Sequence, residues 1–297
     1  MALYSQYDLV GKKEDVSDVI SMISPTETPF QSLIGSEKIT QVLHQWQEDA
    51  LAAVRDNKNA EGFTASDATL AATTLRSNST QILEKTIKVS GTADATSSYG
   101  RAKETAYQLA KAAAEVKRDL EHAMVGLGLN AAVNTAVGTA REMASAQSQI
   151  STDNDSLNGG TPRALTEALV LAVDQLIYEA GSEAKIVMIK PADSLIFAGF
   201  TGASGRYRTF EGSETKVVNV VNLYVSPFGE KKVVLNRFIK STDALLFDPA
   251  HWKKLVLRPW TRTMLAKTGD NEMHMLVGEF SLKHTNQKAS GYVGDLS

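Results

Sequence analysis

The sequence contains no cysteine. Structural disulfides, thiolate metal sites and a cysteine nucleophile are therefore excluded, and the absence suits a reducing compartment. Neither sign of charge is in excess: 31 Lys and Arg against 34 Asp and Glu leave −3. Neither wholesale nucleic-acid binding nor charge-driven disorder is indicated. No apolar run approaches the roughly 18 residues that span a bilayer. The N-terminus has no apolar stretch behind early positive charge, so no signal peptide is expected. The 297 residues suffice for one large domain or two modest ones, with ample core volume.

Catalytic signatures are missing too. The five histidines, at 44, 122, 251, 274 and 284, are too dispersed for metal-ligand spacing. The run Gly126-Leu127-Gly128 follows a helical pattern, whereas a dinucleotide-binding loop follows a strand. No phosphate-cradling Gly-x-x-x-x-Gly-Lys-Ser/Thr occurs, and Gly202-Ala203-Ser204-Gly205 lacks the nucleophile-elbow spacing. Asn78-Ser79-Thr80 matches a glycosylation acceptor without the secretory context that would give it meaning. No catalytic residue, metal or cofactor is expected, and the chain does not read as an enzyme.

What is present is an unusual order of segments. Residues 1–36 carry five acids against two lysines, −3 locally. Val16, Val19, Ile20 and Ile23 share one face of a short helix that Pro25 ends, and Pro25 and Pro29 then impose an extended path to Phe30. Extended, such an arm reaches up to about 115 Å, against a body roughly 50 Å across. It either folds back on its own body or reaches a neighbour. Glu14, Asp15 and Asp18 read as a solvated face or as half of an intermolecular charge pair.

Residues 39–91 read as a long hairpin, ascending over 39–46 and descending over 80–89. Between them, residues 48–78 hold five large apolar side chains: Leu51, Val54, Phe63, Leu70 and Leu75. Five cannot build a core, so this is an enzyme lid or an assembly loop. Residues 101–127 form the strongest helix, about 40 Å long. Its expected apolar stripe is Ala102, Ala106, Leu109, Ala113, Val116, Leu120, Ala123 and Leu127, with Lys111/Glu115 and Lys117/Glu121 paired on the wet side. A helix at 165–180 and a buried strand at 185–189 follow. Short strands, mostly of antiparallel type, are then expected at 217–218, 220–225, 232–236, 243–248, 254–258 and 274–282, an α+β pattern. Residues 229–267 hold nine cations against three acids, a net +6 that could complement the acidic arm of a neighbour.

Asp8-Leu-Val-Gly11, Glu14-Asp-Val-Ser-Asp18 and Ile23-Ser-Pro25-Thr-Glu-Thr-Pro29-Phe30 together resemble the start of tailed-bacteriophage major capsid proteins, in a family long catalogued as a domain of unknown function. Further short matches follow in order: Trp46-Gln-Glu-Asp49, Glu61-Gly62, Thr80-Gln-Ile82, Val89-Ser-Gly-Thr92, Arg141-Glu-Met143, Leu257-Arg-Pro259 and Leu265-Ala-Lys-Thr-Gly-Asp270. The resemblance implies the Hong Kong 97-type capsid fold. It divides the chain into an arm (1–36), an extended loop (37–92), a peripheral domain (93–164) with a spine helix at 101–127, an axial domain (165–250) and peripheral strands (251–297). It also implies self-assembly into the pentamers and hexamers of an icosahedral shell around double-stranded DNA, without sequence-specific binding. Portal, scaffolding or cement proteins are further implied partners; a membrane is not. The implied place is the virion, assembled in the host cytoplasm. The expected subunit-interface residues are Glu14, Asp15, Asp18, Pro25, Pro29, Phe30, Trp46, Phe63, Lys231, Lys232 and Arg258. Removing residues 1–30 is expected to leave a folded core that no longer assembles. Two alternatives stand beside this: an encapsulin-like nanocompartment shell protein, against which the arm motif argues, and a soluble α+β enzyme with a lid at 48–78, against which the empty motif search argues.

Overall fold

Among the described residues the first regular element starts at Pro29, whose fixed φ suits the first turn of a helix. The computed structural model describes residues 24–65, 67–68, 70–96, 102–128, 130–131, 138–200 and 223–297. In chain order the elements are α1 (Pro29–Leu33), β1 (Gly35–Lys38), β2 (Leu43–Glu48), β3 (Thr74–Ser79), β4 (Gln81–Ser90), α2 (Gly91–Ala95) and α3 (Glu104–Val125). Then come β5 (Asp155–Ser156), α4 (Glu167–Glu179), β6 (Ile186–Ile189), α5 (Pro191–Ala198), β7 (Leu223–Ser226), β8 (Gly229–Leu235), β9 (Ala244–Phe247), β10 (Trp252–Met264), β11 (Asn271–His284) and β12 (Gly291–Val293).

The strands form a four-stranded sheet β1-β10-β11-β4, a six-stranded sheet β5-β12-β9-β6-β8-β7 and the ribbon β2-β3. The α+β class stands, but the strand expectations need correction. β10 and β11 run 13 and 14 residues, and β1–β10, β5–β12 and β6–β8 pair in parallel. The expected hairpin is also re-paired. β2 takes β3 as its partner, Leu43 opposite Ser79 and Glu48 opposite Thr74. The descending stretch is β4, which pairs with β11 instead. β12 joins the six-stranded sheet through β9, so the chain beyond 251 does not all complete the sheet of β10 and β11. The strands expected over 217–222 lie outside the described residues.

The six-stranded sheet is buried on both faces at its centre, which its unbroken apolar runs dictate. Alternation along β6 and β9 divides them between two cores. Ile186, Met188, Leu245 and Phe247 face one that also holds Phe30, Leu120, Met124, Trp252, Phe280 and Leu282. Val187, Ile189, Ala244 and Leu246 face the other, closed by Val170, Val173 and Ile177 of α4 and Phe197 of α5.

α3 spans 22 residues, about 33 Å, within the expected 101–127. Its stripe is only partly as expected: three of its eight residues are buried, Leu109 is half-buried and Leu127 is exposed. Val116, Leu120 and Ala123 are buried, but Thr105 and Ala112 replace Ala102, Ala106 and Ala113, which are exposed. Only the C-terminal half enters the shared core; the N-terminal half lies along β4, where Lys85 Nζ meets Glu115 Oε2 at 3.4 Å. Glu115 thus pairs across to the sheet rather than with Lys111, and Glu121 is not on the wet side at all but fully buried.

Candidate assembly surfaces

Glu121 is the joint between arm, helix and six-stranded sheet. Its carboxylate accepts from the N–H groups of Phe30 (2.7 Å) and Gln31 (3.0 Å) and from Asn236 Nδ2 (2.8 Å). Two of those donors are first-turn amides of α1, which has no side-chain cap of its own. Burial pushes the Glu121 carboxyl above the ordinary range, against the pull of the three donors. Phe30 follows into the core, its ring 5.4 Å from Phe247 and 5.8 Å from Trp252. Phe30 is therefore a residue of the subunit's own interior rather than of an interface, which corrects the expectation. Pro29 is half-buried at the start of α1, and Pro25 is half-buried against α3. Glu14, Asp15 and Asp18 lie outside the described residues.

The β2-β3 ribbon is rooted by polar contacts. Asn78, Ser79 and Thr80 are fully buried. Asn78 donates to Leu282 O (2.6 Å) and Ala144 O (3.2 Å) and accepts from Ala144 N (2.8 Å), while Ser79 Oγ bonds Glu142 O. The apparent glycosylation sequon is thus a structural stitch. Glu48 accepts from Gln287 N–H (3.2 Å) and from Arg76 Nε (3.3 Å). Trp46 is half-buried, stacked on His44 at 6.0 Å, with Lys283 Nζ 6.0 Å from its ring. Beyond this root the loop carries its apolar side chains into solvent. Leu51 and Val54 are wholly exposed, Leu70 nearly so, and Phe63 stands exposed beside the turn at Glu61-Gly62, where Gly62 has φ 79°.

Several of the short sequence motifs meet in space. Glu279 of β11 accepts from Thr80 Oγ1 (2.7 Å), Arg141 Nη2 (2.5 Å) and Arg258 Nε (3.0 Å). Gly91 N–H donates to Asp270 O at 3.2 Å, and a Cβ on Gly91 would overlap the Asp270 carboxylate. Arg258 is exposed but already engaged through Glu279.

Five of the nine cations in the basic stretch 229–267 are paired within the chain. Lys231, Lys240, Lys253, Arg258 and Lys267 each meet an acid of the same chain. Lys231 is a correction: strand alternation puts it on the α4 side, fully buried, with its Nζ 2.9 Å from Asp174 Oδ1 and donating to Ala184 O at 3.1 Å. Lys232, one residue on, faces the other way and is exposed. Of the expected interface set, Lys232 and Phe63 are thus free surface residues, while Phe30 and Lys231 are interior.

His284, in the shared core, lies parallel to Trp252 at 4.0 Å. Its Nδ1–H points at Gln149 O (3.3 Å), so Nε2 accepts from Ser290 Oγ (3.0 Å), which itself accepts from Trp252 Nε1 (3.0 Å). Burial pushes the imidazole down to about 3. Among the described residues no group of three or more His, Asp or Glu could hold a metal ion, and no helix is long and apolar enough to cross a membrane.

Residues 3–297 match the family described as SU10 major capsid protein. The major capsid protein of Escherichia phage Phieco32 is similar, 34% identical over 97% of this chain and 96% of its own length. Solved structures with a similar fold include the Cyanophage A-1(L) capsid (TM-score 0.66, 13% identity, 98% of each chain) and a Mycobacterium phage Bobi chain (TM-score 0.64, 13% identity, 99% of each). These likenesses show the Hong Kong 97-type capsid fold that the sequence resemblance implied. The family match and the 34% identical relative carry the rest: the chain belongs to the SU10 major capsid protein family and is a major capsid protein of a tailed phage, a structural component of the virion rather than an enzyme.

Proposed function

We propose that copies of this chain assemble into the pentamers and hexamers of an icosahedral shell that encloses double-stranded DNA. In this reading residues 1–36 are the arm, the β2-β3 ribbon with residues 49–73 is the extended loop, and α3 is the spine helix. The four-stranded sheet belongs to the peripheral domain and the six-stranded sheet to the axial domain. The observation that carries the reading is a loop rooted by buried hydrogen bonds yet holding Leu51, Val54 and Leu70 out in water. Burying each such side chain is worth roughly 1.5–3 kcal/mol before association costs, so the loop has much to gain from a neighbouring copy. A formal charge of −3 suits a shell that holds DNA without reading its sequence. Portal, scaffolding and cement proteins are further partners, and assembly takes place in the host cytoplasm. Purified protein is expected to form closed particles tens of nanometres across in negative-stain electron microscopy. A strictly monomeric species at every salt and protein concentration overturns the reading.

A further inference from the structure

Midway along the loop between β2 and β3 the chain makes a formed turn. Phe63 N–H donates to Ala60 O at 3.1 Å, and Gly62, at φ 79°, takes the left-handed backbone that glycine adopts without a side-chain clash. The turn holds Phe63 in solvent, 61% exposed. Charge there has one sign. Residues 60–68 carry Glu61 and Asp67 and no cation, and the preceding lysine, Lys58, is held by Asp56 at 2.6 Å.

A surface of opposite character lies on the N-terminal half of α3. Pro25, Tyr107, Ala110 and Ala114 line a groove of about 170 Å³, bordered by Lys111, Glu115 and Arg118. Glu115 is drawn to Lys85 Nζ at 3.4 Å, so neither Lys111 nor Arg118 has an acidic partner among the described residues. An apolar cavity of roughly 150 Å³ takes one benzene ring, so the groove suits a single aromatic side chain. The subunit's own Phe63 does not line it. Along the helix Lys111 and Arg118 stand about 10 Å apart, and the chain from Glu61 to Asp67 spans up to about 20 Å. Both acids therefore reach the two cations with Phe63 between them. We propose that the Phe63 ring of one copy seats in the α3 groove of a second copy, with Glu61 and Asp67 set against Lys111 and Arg118. The proposal rests on the shell reading and deepens it by giving the loop a definite seat. Loop and groove are different surfaces, so the contact is heterologous and repeats from copy to copy, the arrangement from which rings are built.

The test uses full-length protein assembled into particles, with Phe63→p-benzoylphenylalanine to keep an aromatic ring at the turn. Irradiation is expected to join chains to one another, with adducts that mass spectrometry maps to residues 107–118. Adducts only within one chain, adducts elsewhere on a second copy, or no adduct in assembled particles each overturn the seat and leave the shell reading standing. The charges are tested separately. Lys111→Glu with Arg118→Glu should raise the protein concentration needed for particles about ten-fold, because like charges then meet across the contact. Adding Glu61→Lys with Asp67→Lys should restore the parent value, and circular dichroism verifies that both variants fold. No restoration overturns the pairing of these four charges. Should the photoreactive chain not assemble, the charge exchange decides alone. A parent protein that never forms particles removes the shell reading, and this seat with it.

Discussion

Glu121 Oε1 accepts a hydrogen bond from the Phe30 backbone N–H at 2.7 Å, across 91 positions of sequence. This bond, with the Phe30 ring between Phe247 and Trp252, anchors the arm to the body. The anchored part begins by residue 28, since Thr28 is already buried. A truncation lacking residues 1–23 leaves this anchor whole and is therefore expected to keep a folded core, with a folded circular dichroism spectrum and a cooperative urea transition. Removing residues 1–30 also deletes Phe30, and loss of a buried aromatic costs about 3–5 kcal/mol. That truncation should unfold at clearly lower denaturant than the shorter one, so the folded core expected of it is kept only with reduced stability. Equal midpoints for the two truncations would show that Phe30 carries no such weight.

The buried pair Lys231–Asp174 makes an asymmetric prediction. Asp174 Oδ2 also accepts from Ser226 Oγ at 2.8 Å, so removing the lysine alone strands a carboxylate in the α4 core with one hydroxyl for company. Lys231→Met is expected to cost about 3–5 kcal/mol in urea unfolding of unassembled subunits. Adding Asp174→Leu should restore most of that loss, because two apolar groups replace a desolvated pair. A double variant no more stable than the single one counts against the pair as the cause.

His284 predicts the acid limb of stability. Its imidazole titrates at about 3 in the fold against an ordinary 6.5. Between those values the unfolded chain binds the extra proton, so stability is complete above 6.5 and is lost as pH falls toward 3. Protonated Nε2 would also point a second donor at Ser290 Oγ, which already accepts from Trp252. His284→Phe keeps the stack on Trp252 and should flatten the dependence of unfolding free energy between pH 6 and 4 by up to roughly 1.4 kcal/mol per unit. An unchanged slope would assign the acid loss to other groups.

The order of segments was legible because each rests on local pattern. β6 is four consecutive apolar residues, and α4 is capped at its start by Thr166, whose side chain accepts from Leu169 N–H. β3 was not legible, since Thr74–Ser79 holds one large apolar residue and that one is exposed. Its end is buried through hydrogen bonds from Asn78 and Ser79 to main chain more than 60 positions away, which leave no trace in hydrophobic periodicity. Lys231 and Glu121 escaped for the same reason. A charged residue reads as surface until its distant partner is known.

The loop supplies the last prediction. Leu51, Val54 and Leu70 touch little within their own subunit, so replacing all three by Asp should leave the isolated fold within about 0.5 kcal/mol per site. On assembly the same positions have apolar surface to bury, and a carboxylate carried into an apolar contact is strongly unfavourable. The triple variant is therefore expected to keep wild-type circular dichroism and urea midpoint while sedimenting as small species under conditions where the parent forms particles. The contrast matters because stability and assembly part company at these residues, whereas changes at Glu121 or Lys231 disturb the fold first. Wild-type particles from the triple variant would place the subunit contacts elsewhere on the molecule.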